Sequence, residues 1–100
     1  MAVHVLALVV DLHLPQSHSL KDKRAVVKTI LEGARRRYQV AAAETDNQDQ
    51  RQRAGLTFSA VSSSQHHVEE VVDGVERFVW SFPEIEVLGT ERLWLDTTDR

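Results

Sequence analysis

Residues 3–14 read Val-His-Val-Leu-Ala-Leu-Val-Val-Asp-Leu-His-Leu, and the alternation within this stretch decides the fold. Successive side chains of an extended strand point to opposite sides. Leu6, Leu8, Val10 and Leu12 therefore share one face, and Val3, Val5, Ala7 and Val9 share the other. A strand that is apolar on both faces is expected at the middle of a sheet, covered on both sides. Pro15 ends it.

Outward from this strand, Ser19 to Tyr38 reads as a helix. Ser19 is placed as its N-cap, with Asp22 three residues on in the manner of a capping box. At about 100° per residue, Leu20, Val27, Leu31, Ala34 and Tyr38 form an apolar stripe with Ile30 at its edge. Arg24 falls inside that stripe, and Lys21, Lys28 and Arg35 line one flank. Gln39 to Glu44 reads as a short strand, Asp46 to Arg53 is wholly polar, and Ala54 to Ser62 is a third strand with Leu56, Phe58 and Ala60 on one face. Ser62 to Ser64 start a second helix over Gln65 to Phe82, whose stripe is Val68, Val71, Val72, Val75, Phe78, Val79 and Phe82. Pro83 stops it. Ile85 to Leu95 is a last strand, expected to bend at Gly89, and Asp96 to Arg100 is a polar end expected to fray.

The order βαββαβ has a well-known compact solution. Each βαβ half crosses over right-handedly, so both helices land on one face of a four-stranded antiparallel sheet. This is the ferredoxin-like α+β sandwich, with strand order 4-1-3-2. The expectation is a single domain over 1–96 followed by a polar tail at 97–100.

Composition bounds the function. The chain has 100 residues, 42% of them hydrophobic, and no cysteine, so disulfides and thiolate metal sites are excluded. No apolar run approaches the roughly 20 residues needed to cross a bilayer, and the apolar start lacks a basic leader and a cleavage site. A cytoplasmic protein is expected, with no membrane partner. The net charge of −3 conceals an asymmetry: residues 21–53 hold nine of the twelve Lys and Arg and five of the fifteen acids. Indiscriminate coating of nucleic acid is not expected of so acidic a chain, but a local basic face is compatible with it.

Several segments resemble a known family. Ser19-Leu20-Lys21-Asp22-Lys23-Arg24, then Ala43-Glu44, then Gln48-Asp49 and Gln52-Arg53-Ala54 are similar in order and spacing to the YlxP-like family of short bacterial proteins of unknown function. The resemblance spans nearly the whole chain. It implies a ferredoxin-like fold and a bacterial cytoplasmic protein. Family genes commonly lie beside those for translation initiation and ribosome maturation, which implies a role near RNA or the ribosome. It implies no catalytic residue. The sequence departs from the family at Gln50 and Arg51, where apolar or aromatic residues are usual.

The candidate sites follow. Lys21, Lys23 and Arg24 open the first helix, where cations are unfavourable unless an anion offsets the helix dipole; together with Lys28, Arg51 and Arg53 they are anion- or RNA-binding candidates. The competing reading pairs Arg24 with Glu44 or Asp49 and leaves the lysines solvated. Gln48, Asp49 and Gln52 are candidates in the 46–53 loop, which reads either as a mobile loop or as a projecting hairpin arm. The five histidines, His4, His13, His18, His66 and His67, are not spaced as a metal site, so no metal or cofactor is expected. No nucleophile–base order, carboxylate pair or phosphate loop stands out, and a non-enzymatic protein is expected.

The second sheet face is the remaining candidate. Helices cover one face only, so Val3, Val5, Ala7 and Val9 are expected at an interface. A homo-oligomer follows, most simply a two-fold dimer packed sheet to sheet, with Trp80 and Trp94 as further contributors. The function expected is binding of RNA or a ribosome-associated partner through the basic start of the first helix and the 46–53 loop. The alternative is a small-ligand or anion-binding regulatory module acting as a homo-oligomer.

Overall fold

The computed structural model describes residues 2–98. The elements run β1 (Ala2–His13), α1 (Leu20–Tyr38), β2 (Ala41–Asp46), β3 (Arg53–Ser62), α2 (Gln65–Trp80) and β4 (Glu86–Thr98). The sheet has the order β2-β3-β1-β4, which is the expected 4-1-3-2 read from the other edge, and every neighbouring pair is antiparallel.

The core follows from the alternation in β1. Leu6, Leu8, Val10 and Leu12 are wholly buried. They meet Leu56 and Phe58 of β3, Val27, Ile30 and Ala34 of α1, and Val68, Val72, Val75 and Val79 of α2. The hydroxyl of Ser19 accepts from the Asp22 amide at 3.0 Å, and the Asp22 carboxylate accepts from the His18 amide at 3.1 Å, so the start of α1 is capped from both directions. Ser64 caps α2 from one direction only, its hydroxyl accepting from the His67 amide.

The two helices interlock through glycines. Gly33 of α1 lies under the Phe78 ring of α2, and Gly74 of α2 lies under the Tyr38 ring of α1. The two rings tilt against each other with centroids 6.1 Å apart. An added Cβ would come within 2.6 Å of Tyr38 at Gly74 and 2.5 Å of Phe78 at Gly33. These glycines are needed for close approach rather than for backbone freedom.

Three differences from the sequence reading have a clear physical cause. The second strand begins at Ala41 rather than Gln39 because Gln39 closes α1 in the left-handed region (φ 56°), its amide donating to the Arg35 carbonyl. β4 does not end at Leu95: Asp96, Thr97 and Thr98 remain paired with His4, Val3 and Ala2 of β1, because the long first strand offers a partner that far. Of the expected tail, residues 99 and 100 lie outside the described residues. The bend expected at Gly89 is a β-bulge one residue earlier, since Asp11 pairs with Gly89 and Leu12 with Val87, leaving Leu88 unpaired.

Gly74→Val is expected to lower the unfolding free energy by about 1–3 kcal/mol through overpacking against Tyr38, read as a lower urea midpoint. Gly89→Val is the control: an added Cβ there meets nothing within 4 Å, and the midpoint should be no lower.

Candidate functional site

The corner where α1 starts and β2 turns into β3 holds most of the predicted site residues. Its centre is Lys23, whose side chain is fully buried. The Lys23 ammonium donates to Glu44 Oε2 at 2.8 Å, to the carbonyls of Asn47 and Gln48 at 2.9 and 3.0 Å, and to the Arg53 carbonyl at a longer 3.3 Å. An ammonium has three hydrogens, and each has a good acceptor here. Charge buried in this way is tolerated only when it is paired and hydrogen-bonded.

Lys23 is therefore not an anion-binding residue, contrary to the expectation from its place in the basic start of α1. The buried stripe of the helix runs Lys23, Val27, Ile30, Leu31 and Ala34. It is rotated from the predicted stripe toward Lys23, and Arg24 is exposed rather than placed in it. Glu44 pairs with Lys23 and not with Arg24.

The loop that Lys23 holds is compact. Asn47 takes the left-handed conformation (φ 60°) and its carbonyl also accepts the Gln50 amide, so asparagine does what the missing glycine would do. The Gln48 side chain donates back to the Glu44 carbonyl. The Gln52 side chain reaches the carbonyls of Pro15 and Ser17, and its own carbonyl accepts the Leu14 amide. The connection after β2 is thereby stitched to the connection after β1. Gln48 and Gln52 use their amides inside the protein. Arg53 grips both oxygens of Asp11 at 2.9 and 2.8 Å.

What remains outside is a basic ridge. Lys21, Arg24 and Lys28 are exposed and take no hydrogen bond or ion-pair partner among the described residues. With Arg35 they occupy roughly 60° of arc on α1 at about 100° per residue. Arg35 bonds the Ala42 carbonyl of β2, which sets the ridge on the β2 side of the helix. Arg51 and Asp49 are also exposed on the loop. A groove of about 560 Å³ opens there, lined by His13, Asp49, Gln50, Arg51, Gln52 and Arg53.

Val3, Val5, Ala7 and Val9 lie on the sheet face away from the helices and are half-buried by their neighbours. The cross-strand rows are Val61–Val5–Leu95, Ser59–Ala7–Leu93 and Thr57–Val9–Glu91. Toward the loop this face turns polar, with the Asp11–Arg53 pair beside His13, whose Nδ1 lies 2.7 Å from Glu86 Oε1. Among the described residues, no three His, Asp or Glu side chains converge as metal ligands, and no helix is long and apolar enough to cross a membrane.

The architecture defines a small ferredoxin-like α+β domain with an internally locked corner. The chain belongs to the family described as protein of unknown function DUF503, which matches residues 5–92. It is 42% identical over 76 residues to the uncharacterized protein YlxP of Bacillus subtilis (strain 168), a match covering 76% of this chain and 83% of that protein. Among solved structures, the de novo designed protein Foldit4 is similar with a TM-score of 0.52 at 15% identity, covering 97% of this chain and 99% of that one. That likeness speaks to the fold alone.

Lys23→Met removes the ammonium but keeps an unbranched apolar stem. It leaves Glu44 and two or three carbonyls without their donor, and is expected to cost about 3–5 kcal/mol, the range for removing one partner of a buried ion pair. Lys21→Met, two positions away and solvent-facing, should change stability by no more than about 0.5 kcal/mol. Urea denaturation of both variants tests the difference.

Proposed function

We propose that this protein is a non-enzymatic binder of RNA or an RNA-containing ribosomal surface, and that it touches the phosphate backbone through the α1 ridge. The observation that carries this reading is that Lys21, Arg24 and Lys28 form one exposed row without internal partners. In contrast, Lys23 in the same segment is wholly used inside. Of the three exposed cations, Lys21 alone lies in the first turn of α1, where Asp22 is its acidic neighbour; an external phosphate would pair with all three by direct charge attraction. The Lys23 lock holds the first residues of the 47–52 loop against the same end of α1, which brings Arg51 to the same corner of the molecule.

Backbone binding rather than base stacking is the mode this surface supports. On the open sheet face the central strands present Val3, Val5, Ala7, Val9, Thr57, Ser59 and Val61, and none of these is an aromatic platform for bases. Recognition through phosphates is insensitive to sequence and weakens with salt.

A second reading has its own observation. The groove lined by His13, Asp49, Gln50, Arg51, Gln52 and Arg53 offers the exposed Gln50 and Arg51 to a small anion, as in a ligand-binding regulatory module, whereas Arg53 and the Gln52 amide are already engaged by Asp11 and by the Pro15 and Ser17 carbonyls. A thermal-shift screen of anions at low salt separates the two. Stabilisation lost in Arg51→Ala but kept in Lys21→Ala favours the groove.

The triple variant Lys21→Glu/Arg24→Glu/Lys28→Glu is expected to fold normally and to lose binding to ribosomes or single-stranded RNA. Milder neutralisation of the same cations should reduce the slope of log affinity against log salt by roughly 0.7 for each phosphate left without its cation. Ribosome co-sedimentation and fluorescence anisotropy provide the measurements. Wild-type binding by the triple variant would remove the ridge from the function.

A further inference from the structure

The sheet has two edges, and they are unlike. The β2 edge is a strand of six residues, whereas β4 runs for thirteen and pairs on one side only. Long free edges are normally blunted by proline, lysine or a bulge within the exposed stretch. β4 contains neither proline nor lysine, the charged residues Glu86, Glu91 and Arg92 precede the apolar run 93–95, and its bulge lies at Leu88, away from its second half. Among the described residues, four of the six exposed large hydrophobic ones sit on this one strand: Leu88, Leu93, Trp94 and Leu95.

We propose that β4 is a pairing edge for a second copy of this chain. Two β4 strands run antiparallel across a two-fold axis at Trp94 and join two four-stranded sheets into one of eight. The occupant follows from the sequence Arg92-Leu93-Trp94-Leu95-Asp96. An antiparallel pair centred on Trp94 sets Leu93 opposite Leu95 twice and Trp94 opposite itself. The register thus matches apolar residues with apolar ones, which is what favourable cross-strand pairs require.

The surroundings agree with this occupant. Leu93 and Leu95 point to the open face, where Leu95 abuts the Val5–Val61 row. A partner strand extends that apolar surface and covers its rim. On the helix side a groove of about 460 Å³ lies between α2 and β4, lined by Asp73, Glu76, Arg77, Trp80, Ser81 and Arg92. Trp80 is 59% exposed on this flank. Arg92 is held at 2.9 and 2.8 Å by Asp73 and Glu76, which fixes the groove floor beside the edge. A two-fold axis perpendicular to the sheet keeps both helical layers on one side. Because α1 covers the β2 side, the two basic ridges lie at the outer ends of the assembly. The pairing is independent of what those ridges bind.

The chain has no cysteine, so single-cysteine variants report proximity cleanly. Directly opposed residues of an antiparallel pair have Cα atoms about 4.5–5.5 Å apart, within the range that a disulfide spans. Sedimentation of the wild type at tens of micromolar is expected to give twice the chain mass. Oxidised Trp94→Cys should run as a covalent dimer, while Ala7→Cys, at the centre of the open face, and Ala43→Cys, on the β2 edge, should not. Leu93→Arg/Leu95→Arg, two exposed positions, should keep the helical circular dichroism and halve the mass. The proposal is overturned by a wild-type monomer, which leaves the edge to an extended segment of another protein. It is equally overturned by a dimer that cross-links through Ala7→Cys and not Trp94→Cys, which is sheet-to-sheet packing.

Discussion

One ammonium group holds the corner of this molecule together. Lys23 is inside, and its hydrogens are shared among a carboxylate from β2 and carbonyls from the β2–β3 connection. Burying a cation is costly unless every hydrogen finds an acceptor, so the loop must adopt the shape that provides them. This requirement explains the left-handed Asn47, the inward carbonyls at 47 and 48, and the absence of a tight hairpin turn. It also sets where α1 begins relative to the sheet, because the helix cannot slide without withdrawing Lys23 from its cage. Removing the lysine alone is worse than never having had it, since a lone carboxylate and unmet carbonyls stay behind.

The large elements are legible in the sequence because hydrophobic periodicity reports them directly. Residues 3–14 carry the period of two, and the valines of α2 carry the helical period with both ends marked by Ser64 and Pro83. The α1 stripe is legible only in part. Leu20, Val27, Leu31 and Ala34 fit an axis that admits Arg24, and nothing in hydropathy favours rotating it toward Lys23. A lysine is read as surface by default. Its internal status depends on Glu44, twenty-one residues away, and on main-chain carbonyls that have no sequence signature. A clue lies in the co-occurrence of an acid at 44 with a lysine at a core-facing helical position, but the pairing is a property of the folded corner.

The same geometry changes the meaning of the residues through which the chain resembles its relatives. Ser19 and Asp22 cap a helix, Lys23 and Glu44 form the internal pair, and Gln48 and Gln52 tie the loop to neighbouring carbonyls. Most of that signature is architecture. The residues left outward in the same segments, Lys21, Arg24 and Asp49 among them, are those free to meet something else. A motif rich in charged residues invites a functional reading, and here burial separates the part that folds the protein from the part available for recognition.

The chain has three lysines, at positions 21, 23 and 28, and all lie on α1. Because one is sealed inside, side-chain amine chemistry on the native surface is confined to two neighbouring points of a single helix. Acylation there would strip positive charge from the ridge without loosening the corner beneath it. Slow labelling of the third would time how often that corner opens.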